Sequence, residues 1–159
     1  MLKFIKKNTR INSRRIVSPI AGEYITISQV KDEVFSSKVM GDGFAIIPEG
    51  NLVVAPADGE IAMLSDSKHA FVLVTNEDIK ILVHIGLDTV KMAGNGFESF
   101  VCVGRHVKAG QPIISFDRTL MEKENLDLTT IVIFLEGYNQ EIKPFEGMGF
   151  YKAGQQVLA

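Results

Sequence analysis

Turn-forming residues break the chain at short intervals: Gly22, Gly41-Asp42-Gly43, Pro48-Glu49-Gly50-Asn51, Asp58-Gly59, Gly94-Asn95-Gly96, Gly110 and Gly154. Between them lie short runs rich in Val, Ile and Phe, at 44–47, 71–75, 79–85, 112–116 and 129–135. Short β-branched and aromatic runs bounded by Gly, Asn, Asp and Pro favour strands closed by tight turns, so the pattern predicts an all-β chain, a sandwich or a barrel. Only 117–125 reads as a helix, with Asp117 as its N-cap and Glu122, Lys123 and Glu124 on a wet face. A second helical turn fits 36–40, and long helices are absent.

Two internal echoes indicate duplication. Val17-Ser18-Pro19-Ile20-Ala21-Gly22-Glu23 returns 37 residues later as Val54-Ala55-Pro56-Ala57-Asp58-Gly59-Glu60. Lys108-Ala109-Gly110-Gln111 returns 44 residues later as Lys152-Ala153-Gly154-Gln155. The physical reading is a strand–turn–strand unit used twice, each copy covering the apolar face of the other.

With 159 residues, 46% of them apolar and 23% charged, the chain has the size and composition of one globular domain. No composition break marks a linker. Cys102 is the only cysteine, which excludes a disulfide framework and a thiolate zinc cage and fits a reducing compartment. Residues 1–15 carry six basic side chains and no acid, whereas the remainder holds eleven basic against nineteen acidic ones. The domain at 16–159 is therefore acidic, which argues against nucleic acid as a partner and suits a basic protein better. The basic segment 1–15 is expected to be a solvated, mobile tail. Its apolar start, Met1-Leu2-Lys3-Phe4-Ile5, is too short for a signal-peptide core, and no run approaches the ~20 apolar residues that a membrane-crossing helix needs. The expected location is the cytoplasm.

Chemistry concentrates at the histidines. An imidazole titrates near neutral pH, and its neutral form is a nucleophile toward carbonyl and phosphoryl groups. In the strand at 79–85, alternation puts Ile79, Ile81, Val83 and Ile85 on one face and Lys80, Leu82 and His84 on the other. His84 thus points away from the more apolar face, at a strand end just before Gly86. His69 opens the strand at 70–75, and the midpoint of 69 and 84 falls inside the turn at 76–78. An antiparallel hairpin through that turn sets the two imidazoles side by side, where one can attack while the other donates a hydrogen bond to an anion. His106, between Arg105 and Lys108, reads as an exposed loop histidine. Asp88, four residues past His84, either caps a turn at 88–91 or sets the electrostatics at the rim of the site. Val34, Phe35, Val39 and Met40, around Ser36-Ser37-Lys38, are either core or an exposed docking patch. P-loop, dinucleotide-binding, His-Glu-x-x-His and Gly-x-Ser-x-Gly motifs are all missing, so a phosphoryl group would arrive on a protein and not on bound ATP.

Over roughly residues 16–159 the chain resembles the IIA domain of the glucose-family phosphoenolpyruvate-dependent sugar phosphotransferase system. Five ordered segments carry the resemblance: Val83-His84-Ile85-Gly86-Leu87-Asp88-Thr89-Val90; Lys68-His69-Ala70-Phe71; Asp32-Glu33-Val34-Phe35 with Lys38-Val39-Met40-Gly41-Asp42-Gly43; Gly94-Asn95-Gly96-Phe97; and Val54-Ala55-Pro56 with Asp58-Gly59. The resemblance implies an antiparallel β-sandwich with little helix. It implies that His84 accepts a phosphoryl group on Nε2 from the phosphocarrier protein HPr and passes it to a cysteine of a IIB domain during sugar import. It further implies that His69 hydrogen-bonds the phosphoryl group and the transition state, and that the Gly86 carbonyl holds the His84 Nδ1 proton. Asp32, Val34, Phe35, Val39, Met40, Asp88 and Val90 fall on the implied docking surface. No cofactor or metal is required, although the paired histidines could take up adventitious zinc.

Departures from the family pattern are confined. Ser67 stands where threonine is usual, with its hydroxyl available to His69. Ser65 replaces a larger apolar residue beside the site. Residues 1–15 and about 136–151, including Gly137-Tyr138-Asn139, fit the pattern poorly. No IIB cysteine motif or membrane segment follows, so a free-standing protein is expected, served by a IIB domain on a separate permease and associated with the membrane only through it. Two other functions compete: a regulatory module of the same fold that acts through its docking face without phosphotransfer, and a zinc metallopeptidase, suggested by His84-x-x-x-Asp88 but lacking a His-x-His pair.

Overall fold

The computed structural model describes residues 15–159; apart from Arg15, which is exposed, the expectation for the basic segment lies outside the described residues. The alternating strands pair into two antiparallel sheets. The larger contains β1 (Gly22–Thr26), β2 (Gly43–Pro48), β4 (Gly59–Leu64), β5 (Ala70–Val74), β6 (Lys80–Ile85), β8 (His106–Val107), β10 (Thr130–Glu136) and β11 (Phe150–Tyr151), in the order β11-β1-β2-β10-β6-β5-β4-β8. The smaller, in the order β3-β9-β7, contains β3 (Leu52–Val54), β9 (Pro112–Phe116) and β7 (Phe97–Ser99). The expected all-β sandwich is what forms, with strands within a residue or so of those read from the sequence.

The echoes become a symmetry. Val17 N–H donates to Pro56 O (2.8 Å) while Val54 N–H donates to Pro19 O (2.7 Å). Ser18 N–H donates to Gln155 O (2.8 Å), and Ala55 N–H donates to Gln111 O (2.9 Å). At the sheet edges Gly22 faces Tyr151 just as Gly59 faces Val107. The order of the large sheet accordingly reads the same from either end, β11-β1-β2-β10 answering β8-β4-β5-β6 across an axis between β10 and β6.

The inner face of the large sheet supplies Phe44, Ile46, Phe71, Leu73, Ile81, Val83, Ile85, Val132 and Phe134 to the main core, which Val53, Ile113, Ile114 and Phe116 close from the small sheet. At about 25 cal/mol per Å² of apolar surface removed from water, this burial is the main favourable term. A second cluster lies on the outer face: Ala45, Ala70, Leu82, Ile131 and Ile133, roofed by Ile27, Val30 and Phe35. The roof is the stretch between β1 and β2, a 3-10 turn (Ile27–Gln29) followed by a one-turn helix α1 (Glu33–Ser36). Asp32 caps α1, its side chain accepting from Val34 N–H at 3.0 Å.

Two local expectations change and one holds. The helical turn lies at 33–36 and not at 36–40, because Asp32 provides the N-cap and Lys38, at φ +63°, ends the turn. His106 belongs to the edge strand β8, not to a loop, although its side chain is exposed and 3.9 Å from a Glu60 carboxylate oxygen. The helix expected at 117–125 does form, as α2 (Arg118–Lys123), with the Asp117 side chain accepting from Leu120 N–H at 3.0 Å. The chain enters and leaves side by side: Val17 bridges Gln156, and Val157 N–H donates to Ile16 O at 3.0 Å.

Candidate active site

The hairpin β5–β6 does what the midpoint arithmetic requires. Ala70 faces His84 in register, and Ile85 N–H donates to the His69 carbonyl at 2.7 Å. The imidazoles of His69 and His84 meet edge to face, with centroids 5.0 Å apart and planes at 84°. Ile81, Val83 and Ile85 enter the main core while Leu82 enters the outer cluster, so His84 sits at the margin of an apolar roof. The Phe35 ring lies 5.0 Å from the His84 ring, tilted 54°.

His84 Nδ1 lies 2.8 Å from the Gly86 carbonyl oxygen. A carbonyl only accepts, so Nδ1 carries the proton and the neutral ring keeps a bare lone pair on Nε2. The turn after β6 fixes that carbonyl. Gly86 adopts φ +75°, in the left-handed region that costs a side chain strain, and its N–H donates to Thr129 O at 2.9 Å. Leu87 N–H donates to Asp127 O (2.8 Å), and the buried Thr89 hydroxyl donates to Ile85 O. His69 is held from behind: its Nδ1 lies 2.6 Å from Ser67 Oγ and 3.3 Å from Ser65 Oγ.

Burial biases both rings toward the neutral form. Burial pushes the His84 pKa below the ordinary imidazole value, and repulsion from His69 adds to this; the Gly86 carbonyl and the Asp32 carboxylate pull the other way. Burial lowers His69 as well. A neutral, half-buried imidazole with a bare Nε2 lone pair, beside a second ring, is equipped to receive and hand on an electrophilic group.

Of the residues expected on the docking surface, Val34, Val39, Met40 and Val90 leave 52%, 77%, 38% and 55% of their surfaces exposed. Phe35 differs, being only 5% exposed and packed against His84, so its contribution is to shape the imidazole's surroundings. Asp88 is exposed at φ +60° and stands at the N-cap of the 3-10 turn Thr89–Met92, where its carbonyl accepts from Lys91 N–H at 3.1 Å but its side chain makes no capping bond. A cavity of about 460 Å³, lined by Glu77, Ile79, Tyr138 and Gln156 among others, contains neither imidazole. Among the described residues, no three His, Cys, Asp or Glu side chains converge as metal ligands, and no helix is long and apolar enough to cross a membrane. The contacts of Ser65 and Thr89 were not read from the sequence. Serine at both the fourth and second positions before His69 was the available sign for the first; a threonine four residues past a strand end gives no distinctive one for the second.

The β-sandwich thus seats one imidazole, unprotonated at Nε2, against the edge of another. The model of the family described as phosphoenolpyruvate-dependent sugar phosphotransferase system, EIIA 1, matches residues 14–139. The PTS system glucose-specific EIIA component of Bacillus cereus is 41% identical over 157 residues, covering 98% of this chain and 95% of its own length. The glucosamine-specific EIICBA component of Bacillus subtilis is 42% identical over 127 residues, which are 80% of this chain but 20% of that protein. The solved structure of glucose permease IIA from Mycoplasma capricolum aligns at a TM-score of 0.82 with 37% identity, covering 91% of this chain and 93% of that one. The chain belongs to the EIIA 1 family, and its role is that of a phosphocarrier of the sugar phosphotransferase system.

Proposed function

We propose that His84 is the phosphoryl acceptor. Its Nε2 lone pair attacks the phosphorus of a phosphohistidine on HPr; the donor P–N bond breaks as the new P–N bond forms, and the donor nitrogen keeps the electron pair. A thiolate of a IIB cysteine then attacks the same phosphorus, forming P–S and returning the lone pair to His84 Nε2. His69 Nε2–H holds the phosphoryl group on His84 and stabilises the equatorial oxygens in the second step, the transfer to IIB. Such a transfer needs in-line positioning and charge stabilisation more than covalent machinery. Asp32, Val34, Val39, Met40, Asp88 and Val90 form the partner-facing rim, and Ser67 orients His69. The relay operates in the cytoplasm, where the partner proteins meet the chain.

The observation that carries this reading is the 2.8 Å contact from His84 Nδ1 to the Gly86 carbonyl, which leaves Nε2 bare beside a second imidazole. The test is a transfer assay with labelled phosphoenolpyruvate, enzyme I and HPr, followed by mapping of the label. Acid-labile, base-stable label on His84 is expected. Absence of label on folded protein with active HPr overturns the reading in favour of a regulatory module.

A further inference from the structure

We propose that Ser65 is a positioning residue: its hydroxyl donates to His69 Nδ1 and so keeps the His69 proton on Nε2, the nitrogen that serves the phosphoryl group. The inference rests on the function proposed above and adds a residue to it. Ser65 opens the turn between β4 and β5, with its N–H donating to Ala70 O at 2.9 Å and its carbonyl accepting from Lys68 N–H at 2.9 Å. Lys68 adopts φ +58° to close that turn. These bonds hold the Ser65 backbone, and the Ala70 N–H holds its side chain by donating to Oγ at 3.2 Å.

The two serines are therefore unlike. Ser67 Oγ has one close partner, His69 Nδ1 at 2.6 Å, and a hydroxyl so placed can rotate either to donate or to accept. Ser65 Oγ already accepts from the Ala70 backbone N–H, and Oγ lies 3.3 Å from His69 Nδ1, within reach to donate its proton there. Once Ser65 donates, Nδ1 is an acceptor and Ser67 must donate too. A neutral imidazole that accepts at Nδ1 carries its proton on Nε2. The two rings then hold opposite tautomers, one kept by a carbonyl and the other by an anchored hydroxyl. His84 offers a lone pair, and His69 offers a donor.

Imidazole ¹⁵N resonances of the unphosphorylated protein read the tautomer directly. In the native chain His69 Nδ1 is expected to be unprotonated. In Ser65→Ala the freed Ser67 hydroxyl accepts, Nδ1–H becomes populated, and transfer from phospho-His84 to a IIB cysteine slows about three- to ten-fold, the weight of one ordinary hydrogen bond. Ser65→Thr restores both readouts, and Ser67→Ala keeps the Nε2–H tautomer because the anchored donor remains. The proposal is overturned if Ser65→Ala retains the native tautomer, or if Ser67→Ala alone shifts it. The Ser67→Ala and Ser65→Thr arms decide the matter even if Ser65→Ala melts early. The resonance arm involves no phosphoryl transfer, so a failure to label His84 would defeat the function reading and leave the tautomer result standing.

Discussion

The two halves of the large sheet share a backbone plan and differ in chemistry. In one half β5 and β6 bring His69 and His84 together; in the other, β2 and β10 place Asp42 and Ile133 at the matching positions. The correspondence is close: Ala70 faces His84 as Gly43 faces Ile133, and Ile85 N–H donates to His69 O (2.7 Å) as Phe134 N–H donates to Asp42 O (2.9 Å). Across the axis His84 faces Ile131, as Ile133 faces Leu82. Yet Ile133 is wholly buried in the outer cluster, and Leu135 stands where the other half has Gly86 with its held carbonyl. The sheet is therefore indifferent to what projects from the strand end, and the function proposed above rests on side chains and one turn placed on a repeated frame.

The sharpest way to test this division is to disarm the active half. His84→Ala is expected to abolish phosphoryl acceptance, and label persisting elsewhere on that variant would move the acceptor to another residue. His69→Gln should still take the group from HPr but release it to IIB about 10²–10³-fold more slowly, the usual cost of removing one aimed donor; stopped-flow transfer showing equal rates in both steps would make His69 merely structural.

The complementary test is to arm the silent half. Ile133→His should gain no labelling, since it finds neither a Gly86-like carbonyl nor a second imidazole. Denaturant titration should show it less stable by about 1–3 kcal/mol, because an unpartnered ring replaces a buried side chain in the outer cluster. Label appearing on the new histidine would show that the frame alone suffices. The smallest expected effect is on pH. Both site histidines have pKa values below the ordinary imidazole value near 6.5, so on acidification the unfolded chain takes up protons before the folded one. Their contribution to stability is complete above about 6.5 and declines as the pH falls below it, and His84→Ala should flatten this slope. A native chain that grows more stable from pH 7.5 to 5.5 would contradict it.

Much of this was legible in the sequence. The echoes announced the repeated units, strand alternation put His84 on the outer face, and the turn at 76–78 fixed the pairing of His69 with His84. What escaped has physical reasons. α1 is set by the Asp32 cap and by burial of Phe35 under the roof, a tertiary preference that local propensity does not carry. The outer cluster was hidden because its members, Ala45, Ala70, Leu82 and Ile131, are ordinary strand residues whose burial depends on a roof from elsewhere in the chain. The Ser65 bond forms only when the turn curls back on His69, since four positions along a chain imply no contact outside a helix.

The paired ends of the described chain bear on portability. The bridge from Val17 to Gln156 sets the first and last described segments side by side. A unit whose two exits coincide can be spliced into or onto a longer polypeptide through a single point of attachment, without re-threading any strand. In the Bacillus subtilis EIICBA protein the matching stretch is 20% of a longer polypeptide.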